Sequence, residues 1–276
     1  MTVQPHLHWG AMSRAERDRA YNNSEAVLNS AELNAERIRD SEAFRAARAG
    51  HLDLRYGPRP RNLIDIFPGD SPRAPTLVFF HGGYWQRNAK HEFACLVEGV
   101  AAHGWNAALV GYTLCPEATM TKIAGEAHAA MDWLAENGGA HGIAGKVVVS
   151  GWSAGGHLTA LALSHPRVHA GLAVSGIFEL GPLRDTYLNE KLQLTDEEIA
   201  ALSPLRPPVV HKPLAIAYGT KELPPLVSDS RKFHALRSFE HAPGPLIPVA
   251  GADHFTVTLA LRSPDGELTR QTLLLA

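Results

Sequence analysis

Gly151-Trp152-Ser153-Ala154-Gly155-Gly156 sets a serine between glycines two positions to either side. The apolar run Lys146-Val147-Val148-Val149-Ser150 precedes it, and a helix-like stretch from His157 to Leu163 follows. A serine at the tip of such a strand–turn–helix projects its hydroxyl out of the turn. There it can attack a carbonyl carbon and carry the acyl group covalently. Side chains two positions away would collide with the adjoining strand and helix, so glycine is needed there. The helix opening at the serine aims free N–H groups, that of Ala154 first, at a developing oxyanion. With 24 glycines in the chain the spacing alone is a weak sign; the strand before it and the helix after it give it weight.

Three further pieces would complete an acyl-transfer site. Pro75-Thr76-Leu77-Val78-Phe79-Phe80 runs into His81-Gly82-Gly83-Tyr84-Trp85. A glycine pair at the end of a buried strand lets N–H groups of Gly82, Gly83 and Tyr84 turn toward a substrate oxygen. An acid and then a histidine should follow the serine in the chain. Glu222 stands in the loop after the strand-like Leu214–Tyr218. Its competitor Asp229 falls within a predicted helix, Leu226–Phe239, away from the strand tip. His254, after the short run Leu246–Val249, is singled out from fifteen histidines by that position. Asp253, its neighbour, reads as a turn or cap residue.

The elements that must hold these pieces are short apolar strands alternating with helices. Strands are predicted over Leu63–Phe67, Thr76–Phe80, Ala107–Tyr112, Val147–Ser150, Gly171–Val174, Leu214–Tyr218 and Leu246–Val249. Helices are predicted over Glu92–Ala102, Ile123–Glu136 and His157–His165. That alternation predicts one α/β domain over 1–276, its mostly parallel sheet covered by helices on both faces. Sites on such sheets lie at the carboxyl ends of the strands, where all four pieces fall. Ser13 to Arg48 is rich in alanine, glutamate and arginine and has no proline. It predicts an extension of one or two surface helices, with a lid or a homodimer contact as the alternatives. Residues 181–208 interrupt the alternation and predict a small cap over the site that sets selectivity.

The motifs together resemble the serine-dependent arylformamidases (kynurenine formamidases) of the α/β-hydrolase superfamily. Beyond the two glycine motifs the resemblance covers Leu54-Arg55-Tyr56-Gly57 with Leu63-Ile64-Asp65-Ile66-Phe67. It also covers Tyr112–Glu117, Leu192–Pro204 and Asp253-His254-Phe255, hence most of the chain from Tyr21 onward. Many relatives carry aspartate where Glu222 stands; a glutamate can orient a histidine equally. The resemblance implies hydrolysis of an N-formyl amide on an aromatic amine, as in N-formylkynurenine. A tight acyl pocket and a wider apolar wall would follow. Tyr84, Trp85, Trp152 and Phe255 are the candidates for that wall, with packing around core loops as the other role for Trp152 and Phe255.

Composition narrows the field further. No apolar run approaches the roughly eighteen residues of a membrane span, and the first thirty residues lack a signal-peptide core. Cys95 and Cys115 read as free thiols of a reducing compartment. A formal net charge of −2 without a basic block argues against nucleic acid. No metal motif or phosphate loop stands in the chain, and His6-x-His8 alone is a poor metal site. The expectation is a cytoplasmic enzyme acting on a small molecule without cofactor. A carboxylesterase for small acyl or aryl esters is the alternative. A ligand-binding relative that turns over poorly is a third reading, against which the complete set of catalytic pieces argues.

Overall fold

The computed structural model describes residues 9–276, so His6 and His8 lie outside the described residues. Eight strands form one sheet: β1 (His51–Arg55), β2 (Leu63–Phe67), β3 (Thr76–Phe80), β4 (Asn106–Val110), β5 (Val147–Trp152), β6 (Val168–Val174), β7 (Leu214–Gly219) and β8 (Leu246–Val249). Their order is β1-β2-β4-β3-β5-β6-β7-β8. β2 is antiparallel to β1 and β4, and the pairings from β4 through β8 are parallel. All seven predicted strands form, with β6 starting at Val168 and β4 ending at Val110.

Successive strand side chains point to opposite faces, and both faces here are covered. Val78 and Phe80 of β3 join one core with Ile123, Met131, Leu158 and Phe233. Leu77 and Phe79 join the other with Phe93, Leu96, Val257 and Leu268. The helices Met120–Asn137, Ala154–Ala162 and Pro224–Phe239 thus cover one face. The Lys90–Val97 3₁₀ turns, Glu98–Ala101 and the carboxyl-terminal turns cover the other. β1 escaped the sequence reading because it is a mostly exposed edge strand, bulged at Asp53 (φ 54°), with no apolar run to signal it.

Residues 181–208, the expected cap, pack against the loop after β3, where Gln86 Nε2 donates to Leu188 O at 2.7 Å. Leu183, Leu188, Leu192, Leu194 and Ile199 are buried in the first core, which also holds Tyr84 and Trp85. The amino-terminal extension is more than surface decoration. Its helix Ser30–Ala47 buries Arg37 and Ser41. Arg37 stacks 4.0 Å over the Phe93 ring and its Nε donates to Glu92 O at 3.1 Å; Cys95 N donates to Ser41 Oγ at 3.1 Å. Among the described residues no helix is long and apolar enough to cross a membrane.

Candidate active site

Ser153 joins β5 to the helix Ala154–Ala162 with φ 59° and ψ −118°. A non-glycine residue held there is strained by roughly 1–3 kcal/mol, and its surroundings fix it. Ser153 N donates to Val174 O at 2.9 Å, and His157 N donates to Ser153 O at 3.1 Å. The turn is too close to β3 for any side chain at 155: a Cβ on Gly155 would meet Phe80 O at 1.9 Å. Ser153 is 2% exposed and lines a cavity of about 190 Å³.

His254 lines the same cavity. Its Nδ1 donates to Glu222 Oε2 at 2.9 Å, and the carboxylate is fully buried. The other oxygen, Oε1, accepts from Gly219 N at 2.6 Å and from Ser175 Oγ. Trp152 Nε1 donates to His254 O at 2.8 Å, and the two rings lie 4.8 Å apart. The imidazole is therefore fixed at its backbone, its face and Nδ1, and Nε2 makes no hydrogen bond within the described residues. Ser153 Oγ and His254 are not hydrogen-bonded to one another; such catalytic contacts commonly tighten only around substrate.

The loop after β3 aims one peptide with particular clarity. Gly82 O accepts from His81 Nδ1 at 2.9 Å and from Asn88 Nδ2 at 3.1 Å. A trans peptide points its N–H opposite its C=O, so these two donors direct Gly83 N–H the other way. Gly83 takes φ 122°, a conformation that a side chain would strain. The N–H groups of Gly83, Tyr84 and Ala154 have no acceptor within the described residues. Burial pushes the His81 imidazole down to about 3, so it is a neutral Nδ1–H donor at pH 7. Its ring stacks 4.1 Å from Tyr112, whose hydroxyl donates to His81 O at 2.7 Å.

Of the four residues named for the apolar wall, Tyr84, Trp152 and Phe255 line the cavity. Trp85 does not. Its ring is fully buried, edge-on to His157 at 4.9 Å, because the chain after Gly83 turns this side chain down into the core. Tyr84 presents its ring only, since its hydroxyl donates to Tyr21 O at 2.6 Å. The remaining wall comes from the amino-terminal extension, including Asn23, Asn34 and Arg37, and none comes from 181–208. Asp229 stands apart from His254: its Oδ2 accepts from the N–H groups of Phe178 and Glu179 at 2.9 and 3.1 Å. Burial pushes its carboxyl up to about 7.

Ser175, Asn88 and Asn23 went unread in the sequence. Ser175 had a usable signal, a lone polar residue at the carboxyl tip of β6 before Gly176. Asn88 and Asn23 act through contacts that no local pattern announces.

Comparison with known proteins agrees with this architecture. Kynurenine formamidase of Danio rerio is 29% identical over 176 residues, which is 60% of this chain and 59% of that protein. The chain thus spans about three-fifths of the length of that relative. Kynurenine formamidase of Salmo salar is 26% identical over 239 residues, 80% of each chain. A crystal structure from Silicibacter sp. tm1040, provisionally named a thioesterase, superposes with a TM-score of 0.85 at 27% identity. It covers 94% of this chain and 99% of that one. The family described as the alpha/beta hydrolase fold matches residues 77–262. Since that is more than half of the chain, the protein belongs to the alpha/beta hydrolase family and is similar in sequence to kynurenine formamidases.

Proposed function

We propose that the protein hydrolyses the N-formyl amide of an aryl amine such as N-formylkynurenine, using Ser153, His254 and Glu222 as its catalytic residues. The observation that carries this reading is the buried Glu222–His254 bond on the cavity that holds the strained Ser153. Similarity to a kynurenine formamidase over 80% of the chain supports the choice of bond cleaved. The near-complete burial of Ser153 favours a small acyl group such as formyl.

In this mechanism Ser153 Oγ attacks the formyl carbon while His254 Nε2 takes its proton. Glu222 holds the Nδ1–H tautomer and stabilises the imidazolium. The carbonyl electrons move onto oxygen, where the N–H groups of Ala154, Gly83 and Tyr84 receive them. Loss of one such donor costs about 3–4 kcal/mol of transition-state stabilisation. Collapse breaks the C–N bond, and His254 returns the proton to the leaving amine. Water, deprotonated by His254, then cleaves the formyl-serine ester; formate leaves and Ser153 recovers its proton. Trp152 and Phe255 offer the aryl ring an apolar face.

Ester or thioester cleavage is the second reading, favoured by the likeness to the Silicibacter protein over nearly the whole chain. The same groups would cleave an ester, whose alkoxide leaves more easily than an amine. The test is the specificity constant for N-formylkynurenine beside that for a short-chain p-nitrophenyl ester. A marked preference for the formamide is expected. Rapid ester cleavage with negligible formamide turnover would replace the first reading by the second.

A further inference from the structure

The turn from Gly83 to Arg87 closes on itself: Gln86 N and Arg87 N donate to Gly83 O at 3.0 and 3.2 Å. Those bonds fix its shape but not its place beside Ser153. Its place depends on ties to other elements. Trp85 O accepts from Cys115 N at 2.7 Å, and Gln86 Nε2 reaches Leu188 O. At Tyr84 the tie is a side chain, since the peptide joining Tyr84 to Trp85 has no hydrogen-bond partner within the described residues. The Tyr84 hydroxyl donates to Tyr21 O at 2.6 Å and accepts from Asn23 Nδ2 at 2.9 Å. Burial holds the phenol well above the usual tyrosine range, so it is a donor at neutral pH. Tyr84 and Trp85 take φ 51° and 56°, a strained pair that persists only where its surroundings over-determine it. The anchor is firm, because Tyr21 and Asn23 are both buried and the Tyr21 ring lies in the first core.

We propose that residues 21–23 of the amino-terminal extension are a working part of the acyl-transfer site, positioning the oxyanion-binding turn against Ser153 through the Tyr84 hydroxyl. The inference rests on the acyl-transfer reading and holds whether an amide or an ester is cleaved. Asn23 and the Tyr84 hydroxyl are positioning groups; the oxyanion itself meets only N–H groups. The anchor lies outside residues 77–262, which match the hydrolase family, so the matched region alone does not supply it. Donors serve an oxyanion only when held within hydrogen-bond distance of the place where its charge develops. Freeing this corner of the turn therefore weakens transition-state binding, while the Tyr84 ring stays on the cavity wall and ground-state binding is kept.

Tyr84→Phe in the full-length protein keeps the ring and deletes both bonds. Its kcat is expected to fall about 10–100-fold, with KM within about threefold of wild type, on whichever of N-formylkynurenine and a p-nitrophenyl ester is turned over. Asn23→Ala leaves the bond to Tyr21 and should lose less. The double variant should be no slower than Tyr84→Phe, because both changes act through one hydroxyl. A second readout needs no turnover: an aryl trifluoromethyl ketone adding to Ser153. Oγ bonds to the carbonyl carbon, the carbonyl π pair moves onto oxygen, and the hydroxyl proton passes to His254. Its affinity, followed by fluorine NMR, should weaken by the same factor as kcat/KM. Should Tyr84→Phe fail to fold, Asn23→Ala decides, with ketone affinity expected to fall at least about threefold. Unchanged kcat and ketone affinity, a loss confined to Tm, or losses that multiply in the double variant would overturn the inference and leave the tie a packing contact. Turnover that survives in Ser153→Ala, or a wild type that forms no ketone adduct, would overturn the acyl-transfer reading and this inference with it.

Discussion

Glu222 has both oxygens assigned, and this makes its replacement informative. Gly219 N–H and the Ser175 hydroxyl both donate to Oε1, and His254 Nδ1 donates to Oε2. In Glu222→Gln the amide oxygen must face the two donors, which turns the NH₂ toward His254. The imidazole would then hold its proton on Nε2 and be unable to take one from Ser153. We expect kcat to fall by about 10³–10⁴ with the fold retained, as for a triad whose histidine is trapped in the wrong tautomer. Asp229→Asn keeps an acceptor for the N–H groups of Phe178 and Glu179, and its kcat/KM should stay within about threefold of wild type. The opposite ranking of these two variants would reassign the acid. Ser153, Glu222 and His254 were legible in sequence because each follows the tip of an apolar strand. Ser175 and Asn88 were not, since each is defined by a bond that only the folded chain makes.

At the scale of elements, two segments are held by contacts that no local pattern announces. Periodicity cannot reveal how the helix Ser30–Ala47 attaches, because its attachment is polar: a stacked guanidinium, a serine hydroxyl and a peptide carbonyl. The leucines of 181–208 are scattered through short turns without helical spacing, so their common burial also went unread. Arg37→Met should therefore destabilise the protein by about 2–3 kcal/mol, the scale of a buried cation–π contact and its charge-assisted hydrogen bonds. Urea unfolding measures this. A change below about 0.5 kcal/mol, the range of ordinary surface substitutions, would mean that the helix is held by other contacts. The strands β3, β4 and β7 were readable because both sheet faces are buried there and the strands are mostly apolar; β1 lies exposed at the edge and leaves no such run.

For the whole molecule, the buried Asp229 carboxyl links stability to pH. Its value is raised from 3.8 to about 7, chiefly by burial and further by the Glu179 charge. Between these values the folded state binds a proton that the unfolded state has released. The contribution is thus fully present below about pH 4 and is lost as the pH rises toward 7. Asp229→Asn cannot titrate, so its stability relative to wild type should improve from pH 4 to pH 7. Parallel Tm–pH curves for the two proteins would contradict the assignment.

The most direct measurement is N-formylkynurenine hydrolysis by Ser153→Ala beside the wild type, with Tm as the control for folding. Turnover should fall at least about 10⁴-fold at unchanged Tm. Wild-type turnover in the variant would mean that Ser153 is not the nucleophile.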